Sequence, residues 1–566
     1  MRSNLYVSLA LATGVAFTSC SKMKDLSADN FTVTPSPLEA IGGQVPATID
    51  GKFPEKYMKK KAVVTVTPVL RYANGEAKGQ SATFQGEKVQ GNDQTISYKV
   101  GGNYTMKNNF KYVPDMIKSE LFLTFDARVG KKAVKLKDLK VADGVVSTSL
   151  LLANALNSTN PAYAADAFER IIAQKQQANI KFLIQQANIR TSELKSTSIQ
   201  DFIQTLRDIQ NDQKRKALNN IEVSAYASPD GGYSLNEKLA SQREKNSTKY
   251  VNSELKKIKF DANVDTKYTA EDWEGFQELV AASNIQDKDL ILRVLSMYKD
   301  PEEREKQIRN ISVAFKELAD EVLPQLRRAR LSINYDLIGR SDDEIKEQFK
   351  SDASKLSIEE LLYAATLTNS ASEKTAIYKA AAQLYPNDYR AFNNLGEQAY
   401  RSGDLAAAKQ NFERASRVKS DAAEVNANLG LIALKEGNVA AAESYLAKAN
   451  GANSLNEILG NLYIAKGNYS QAENTFGNTK SNSAALAQIL NRNYAKAAST
   501  LSGITTPDAT TSYLQAIVAA RMNNQTLAIS NLKDAIAKDR SYAKRAVVDL
   551  EFAKMADNAS FKSIVE

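Results

Sequence analysis

Three groups of residues in this sequence have types and spacings that could do chemistry. They are the lone Cys20, the polar loop Ser228-Pro-Asp230-Gly231 followed by Asn236 and Arg243, and the asparagines Asn393, Asn394, Asn426 and Asn428. None of them is a catalyst by type. The 566 residues include no histidine, which removes Ser-His and Cys-His dyads, HExxH zinc sites and imidazole proton transfer together. No GxxxxGKS/T phosphate loop and no strand-linked GxGxxG occurs. The carboxylates scatter along helical faces, the pattern of solvated surface. The sequence therefore predicts a binding protein, not an enzyme, with no catalytic residue, no metal and no cofactor.

Cys20 stands at the end of an address. A basic start at Arg2, an apolar run from Leu5 to Phe17 and the small Thr18-Ser19 precede it, the layout of a secretory signal. The segment resembles a bacterial lipobox, with Phe17 where leucine is usual. That resemblance implies that Cys20 is lipidated and becomes the mature first residue. It also implies an anchor in the outer membrane, on the expected periplasmic face. An ordinary signal peptide with an incidental cysteine is the plain alternative. Each buried CH₂ of an acyl chain contributes about 0.8 kcal/mol, so several chains make a durable anchor. Beyond residue 20 no stretch approaches the ~20 apolar residues of a membrane helix. Residues 21–55, rich in Ser, Thr, Pro and Gly, read as a tether. The net charge of +9 suits anionic surroundings, and no nucleic-acid module is recognisable, so nucleic acid is not an expected partner.

The elements that must position the loop begin after a β region. Over 56–148 the period is two, as in Leu121, Leu123, Phe125, Ala127 and Val129, and Asn-Gly and Gly-Gly turns punctuate it. This predicts a small antiparallel sandwich, with Pro68 on an edge strand or at a bulge. The run Lys131, Lys132, Lys135, Lys137 and Lys140 fits either a soluble edge strand or a patch for anionic glycan or lipid. A linker, 149–175, follows.

From 176 to 338 the pattern is strand, helix, strand, loop, helix and closing strand. Asn179–Arg190 opens it. A helix follows after Ser198 with Ile199, Phe202, Ile203, Leu206 and Ile209 on one face, then the strand Ile221–Tyr226. Gly231, Asn236, Leu239, Arg243 and Tyr250 resemble the family pattern GHTDxxGxxxYNxxLSxxRAxxVxxYL, and Arg327–Tyr335 resembles the family's closing segment. By these residues the region resembles the OmpA-like, peptidoglycan-binding family, with helices inserted over 252–325. The resemblance implies an α/β fold and a loop that holds the diaminopimelate end of a cell-wall peptide. Arg243 stands at the family's arginine position, where a planar fork suits a carboxylate. Ser228 stands where the family has aspartate. Losing that charge-assisted bond costs about 1.5–3 kcal/mol, unless Asp230 takes the role. Arg243 also fits an exposed helix arginine or an internal ion pair, and Asn236 a loop cap.

After a linker, 339–354, the chain repeats. Leu395-Gly396, Ala408, Phe412 and Ala415 recur 34 residues later as Leu429-Gly430, Ala442, Leu446 and Ala449. This period and pattern resemble tetratricopeptide (TPR) repeats, which predicts an all-α solenoid over 355–566 with a concave groove for a protein or peptide partner. Asn393, Asn394, Asn426 and Asn428 lie on first helices, where they fit either amide clamps for a bound backbone or polar surface. Two functions remain open. One is an anchored scaffold holding membrane, peptidoglycan and protein partners. The other is a subunit of a cell-envelope assembly whose OmpA-like domain binds protein and not the wall.

Overall fold

The computed structural model describes residues 23–285, 287–310 and 316–566. Cys20 lies outside them. The chain divides into two compact units, one made of the described residues up to Ala165 with Asn369–Glu566, the other of Asp166–Thr368.

The first unit opens with two sheets. One has the order Phe31–Thr34, Gln44–Phe53, Gly102–Lys111, all antiparallel. The other runs Leu139–Gly144, Ser119–Val129, Ala62–Tyr72, Ala82–Gly86, Gln94–Ile96. They share one core, to which Val45, Ile49 and Phe53 contribute from the first sheet and Val64, Leu70, Phe84 and Leu121 from the second. The sandwich therefore begins well before residue 56, and the expected tether over 21–55 is a correction. Val45, Ala47, Ile49 and Phe53 alternate inward at no more than 1% exposure. The surrounding Gln, Pro, Thr and Asp lower the mean hydropathy but leave this alternation intact. Gly51 sits in the same row because a Cβ there would meet the Tyr104 ring at 2.3 Å.

Pro68 differs from expectation in an instructive way. It lies on the interior strand Ala62–Tyr72, where that strand changes partners on one side: Ala82–Gly86 pairs with Val63–Val66 and Gly75–Lys78 with Val69–Tyr72. The missing N–H falls in the gap, and the Pro68 carbonyl still accepts from Gly79 N at 2.8 Å. In the lysine run, Lys140 pairs with Glu120 at 2.6 Å and Asp143 at 2.7 Å on the edge strand Leu139–Gly144. The rest of that run is exposed.

The same unit ends in helical hairpins: Tyr389–Arg401 with Leu405–Val418, Ala423–Lys435 with Val439–Leu446, Leu455–Ala465 with Tyr469–Phe476, Asn482–Leu490 with Tyr494–Ser502, and Ala509–Arg521 with Gln525–Lys538. Their close pairing has one recurrent cause. Gly396 faces Phe412, Gly430 faces Leu446 and Gly460 faces Phe476, and a Cβ on any of these glycines would lie 2.5–2.7 Å from the facing side chain. At the turns Gly403, Gly437 and Gly467 take positive φ of 73–84°. The C-terminal region is thus an array of tetratricopeptide-type hairpins.

The second unit has a four-stranded sheet in the order Ile171–Lys181, Arg328–Ile338, Lys216–Tyr226, Val264–Thr269. Only the last pair is parallel. Helices Thr197–Asn211 and Tyr233–Lys257 share a core with this sheet through Phe202, Leu206, Val251, Val223 and Leu331. Four boundaries differ from those expected. The first strand starts at 171 and not 179, inside the expected linker, because its first residues are exposed and carry no alternation. The expected insertion of 252–325 contains the end of a helix and a sheet strand, Val264–Thr269, whose edge position leaves it exposed. The inserted helices proper begin at Trp273 and close around Phe276, Val280, Ile291, Leu295, Val322 and Leu326. The expected linker 339–354 holds the helix Asp342–Asp352, started by a Ser341–Glu344 capping box.

Candidate functional site

The groove of the hairpin array is occupied by the chain itself. After the sandwich, residues 147–165 form a strap across the first helices of the hairpins. Its first half is anchored by burial: Leu151, Ala155 and Leu156 are at most 1% exposed, and Tyr400 OH donates to Leu156 O at 2.6 Å. Arg545 reaches Ser147 O at 3.1 Å, and Asn154 bonds Tyr542 OH at the same distance.

The second half is extended, as the residue before Pro161 requires, and is held by its main chain. Ala162 N donates to Asn428 Oδ1 at 2.7 Å, while Asn428 Nδ2 returns to Ala162 O at 2.7 Å. Two residues on, Ala164 N donates to Asn394 Oδ1 at 2.8 Å and Asn394 Nδ2 returns at 2.9 Å. Asn393 Nδ2 also reaches Ala162 O at 3.0 Å, and its Oδ1 accepts from Asn428. A carboxamide offers one donor side and one acceptor side, so each asparagine pairs a residue much as a neighbouring β-strand would. The two gripping asparagines stand one 34-residue repeat apart and take alternate strap residues. All three groove asparagines are no more than 1% exposed.

Asn426 does not join them. Its Nδ2 donates to Ser420 O and Ala422 O, 3.0 and 2.8 Å away, and so secures the preceding turn. Three groove residues were not read from the sequence: Asn453, which donates to Tyr163 O at 3.0 Å, Ser454 on Pro161 O, and Asn461 on Thr159 Oγ1 at 3.2 Å. Their repeat is four residues short, which hides their register. The segment 149–175 was expected as a linker, and nothing in its composition marks it as an occupant.

In the second unit the loop residues come together but are committed to one another. Ser228 Oγ donates to Asp230 Oδ1 at 2.5 Å, and Arg327 bridges both, with Nη2 2.8 Å from Asp230 and Nε 3.2 Å from Ser228 Oγ. Asn236 Nδ2 holds Gly231 O at 2.7 Å, a loop-securing contact, and approaches Glu271 at 3.5 Å. Arg243 is 1% exposed and spends its hydrogen bonds on main chain, not on this cluster. It donates to Gln186 O, Tyr226 O and Leu183 O at 3.0, 2.9 and 3.4 Å, with its guanidinium 5.1 Å from the Phe182 ring centre. It is neither an exposed helix arginine nor half of an ion pair. Burial, and next the charge of Arg327, pull Arg243 down to about 10, with Asp230 opposing. It stays cationic at neutral pH.

Arg327 and Glu271 were missing from the sequence reading as site residues. They flank the inserted helices, and only the Arg327-Arg328 doublet signalled that end. Among the described residues no group of three or more His, Cys, Asp or Glu side chains is arranged to hold a metal. No helix among them is long and apolar enough to cross a membrane.

No family model matches the chain, and no curated protein matches it. Solved structures similar to it include a tetratricopeptide repeat protein from Parabacteroides merdae, at 15% identity and TM-score 0.29 over 37% of this chain and 91% of that one. YrrB, a TPR protein with an unusual peptide-binding site, matches at 19% identity and TM-score 0.22 over 36% and 98%. The APC/C hetero-tetramer Cut9–Hcn1 matches at 13% and 0.31 over 65% and 83%. Similarity this low assigns no function.

Arg243 is accordingly expected to act on stability. Arg243→Met should remove the hydrogen bonds to three main-chain carbonyls and lower the unfolding free energy of this unit by about 1–3 kcal/mol in urea titration. Proteolytic sensitivity should rise at residues 183–187. A variant of unchanged stability would refute the latch.

Proposed function

We propose that this chain is a lipid-anchored, non-catalytic scaffold of the bacterial cell envelope whose OmpA-like unit has given up peptidoglycan. The observation that carries this reading is the internal commitment of both charged anchors, Asp230 to Arg327 and Arg243 to three main-chain carbonyls. The order of strands and helices in the unit supports an OmpA-like fold. Asn236 and Arg243 on the helix Tyr233–Lys257, and Ser228 at the aspartate position, support a departure within the ligand loop.

A diaminopimelate headgroup would need both charges free. Releasing Arg243 would break its bonds to three main-chain carbonyls and its contact with the Phe182 ring, all of which a single new ion pair would have to replace. The unit therefore serves as a protein-binding module inserted in the chain between the strap and the hairpin array. The signal-like start and Cys20 support the outer membrane as the site of anchoring, with the body on the periplasmic face. Partners are other proteins of the envelope. The absence of histidine and of any free paired carboxylates in the loop cluster supports a non-enzymatic role.

Two outcomes test this. Purified residues 23–566 should remain in the supernatant when isolated sacculi are sedimented; sedimentation that free diaminopimelic acid abolishes would overturn the loss of wall binding. Cys20→Ala should move the full chain from the membrane fraction to the soluble fraction, and a variant still pelleting with membranes would refute the lipid anchor.

A further inference from the structure

The two halves of the strap are held by different physics. Residues 147–156 are fixed by fully buried Leu151, Ala155 and Leu156 in the array's own cores. Of residues 157–165, Thr159, Pro161, Ala162 and Ala164 are buried, while Asn157, Ser158, Asn160, Tyr163 and Ala165 are exposed. This half is held mainly by main-chain pairing with Asn394, Asn428, Asn393, Asn453 and Ser454, to which Lys435 on Asn157, Glu457 on Asn160 and Asn461 on Thr159 add bonds. Main chain is common to every peptide. Side-chain information enters at Thr159, whose Oγ1 meets Asn461, at Asn160, which bonds Glu457, and at positions 162 and 164, which must be small because both residues sit at no more than 2% exposure.

Asn461 adds a mark of incomplete fit. Its Nδ2 meets Thr159 Oγ1, but its Oδ1 is buried with no partner among the described residues. A buried acceptor without a donor is costly, and an occupant offering an N–H there would bind better than the strap does.

We propose that Asn393, Asn394 and Asn428 form a backbone-reading peptide site whose resident occupant, residues 157–165, is exchangeable. Its occupant in trans is an extended segment of a partner protein with a Pro-small-x-small pattern. The partner peptide replaces the strap bond for bond, pairing its own N–H and C=O groups at two alternate residues. The anchored half, 147–156, stays in place and keeps the array intact. The strap thus sets a threshold: a partner must outcompete a segment present at the high effective concentration of a tethered ligand. This inference stands on the first unit alone and does not depend on lipid anchoring or on the OmpA-like reading.

The test uses residues 23–566 and a fluorescein-labelled peptide, Thr-Asn-Pro-Ala-Tyr-Ala-Ala, read by fluorescence anisotropy. The wild-type chain should bind it weakly, because the strap competes. Ala162→Glu combined with Ala164→Glu should expel the strap and tighten binding by at least about tenfold, and adding Asn428→Ala should lose at least about tenfold again. A peptide with leucine at both alanine positions should not bind. Replacing 157–165 by a Gly/Ser linker of equal length gives the same opening without new charge. Circular dichroism reports whether each variant keeps its helices. A folded, strap-opened chain that fails to bind, or that binds regardless of Asn428, would overturn the proposal. So would failure of both opened variants to fold, since the segment would then be an irreplaceable part of the array.

Discussion

The pairing of side-chain amides with main chain, Asn428 on Ala162 and Asn394 on Ala164, is the interaction that seats the strap in the groove of the larger unit. Buried N–H and C=O groups must find partners, and an extended segment in a helical groove has no strand beside it to supply them. Helical main chain cannot serve, because its own groups are spent along the helix axis. Carboxamides projecting from successive first helices are the remaining solution. Alternate strap residues meet successive repeats, Ala162 on Asn428 and Ala164 on Asn394.

The second unit solves a related problem with charge. Arg243 collects carbonyls from one loop and a strand end, and Asp230 is absorbed by Arg327. A guanidinium with five fixed N–H groups suits convergent carbonyls as well as it suits a carboxylate. The same residue type at the same place in a fold can therefore hold a ligand or hold the loop that would have met it. In both units the residues with the chemistry to bind are found binding the chain itself, which favours a scaffold with regulated contacts over an open receptor.

What was legible in the sequence is what burial makes periodic. The 34-residue step, the Gly396–Phe412 type of contact and the helix Thr197–Asn211 with its five inward residues follow from one-sided packing. Tetratricopeptide hairpins could be named from spacing because a glycine and a bulky residue must meet at a fixed distance. Elements with little one-sided burial were lost. The edge strand Val264–Thr269 is exposed at four of its six positions, and Ile171–Gln177 shows no inward residue. The strap was invisible for a different reason. Its recognition is written in the groove asparagines, which were noticed, while its own sequence contributes only small side chains. For Asn393, Asn394 and Asn428 the sequence left amide clamp and polar surface both open, and the main chain they meet lies more than 200 residues away. Asn426, two positions from Asn428, shares its type but not its face.

Hydrogen exchange at individual amides in residues 23–566 addresses the central claim most directly. If the strap lies in the groove as paired main chain, the amides of Ala162 and Ala164 exchange at least about a hundredfold more slowly than unstructured peptide, while Tyr163 and Ala165 between and beside them exchange faster. Exchange of Ala162 and Ala164 at the rate of an open loop would contradict the account, leaving the groove asparagines without the occupant assigned to them.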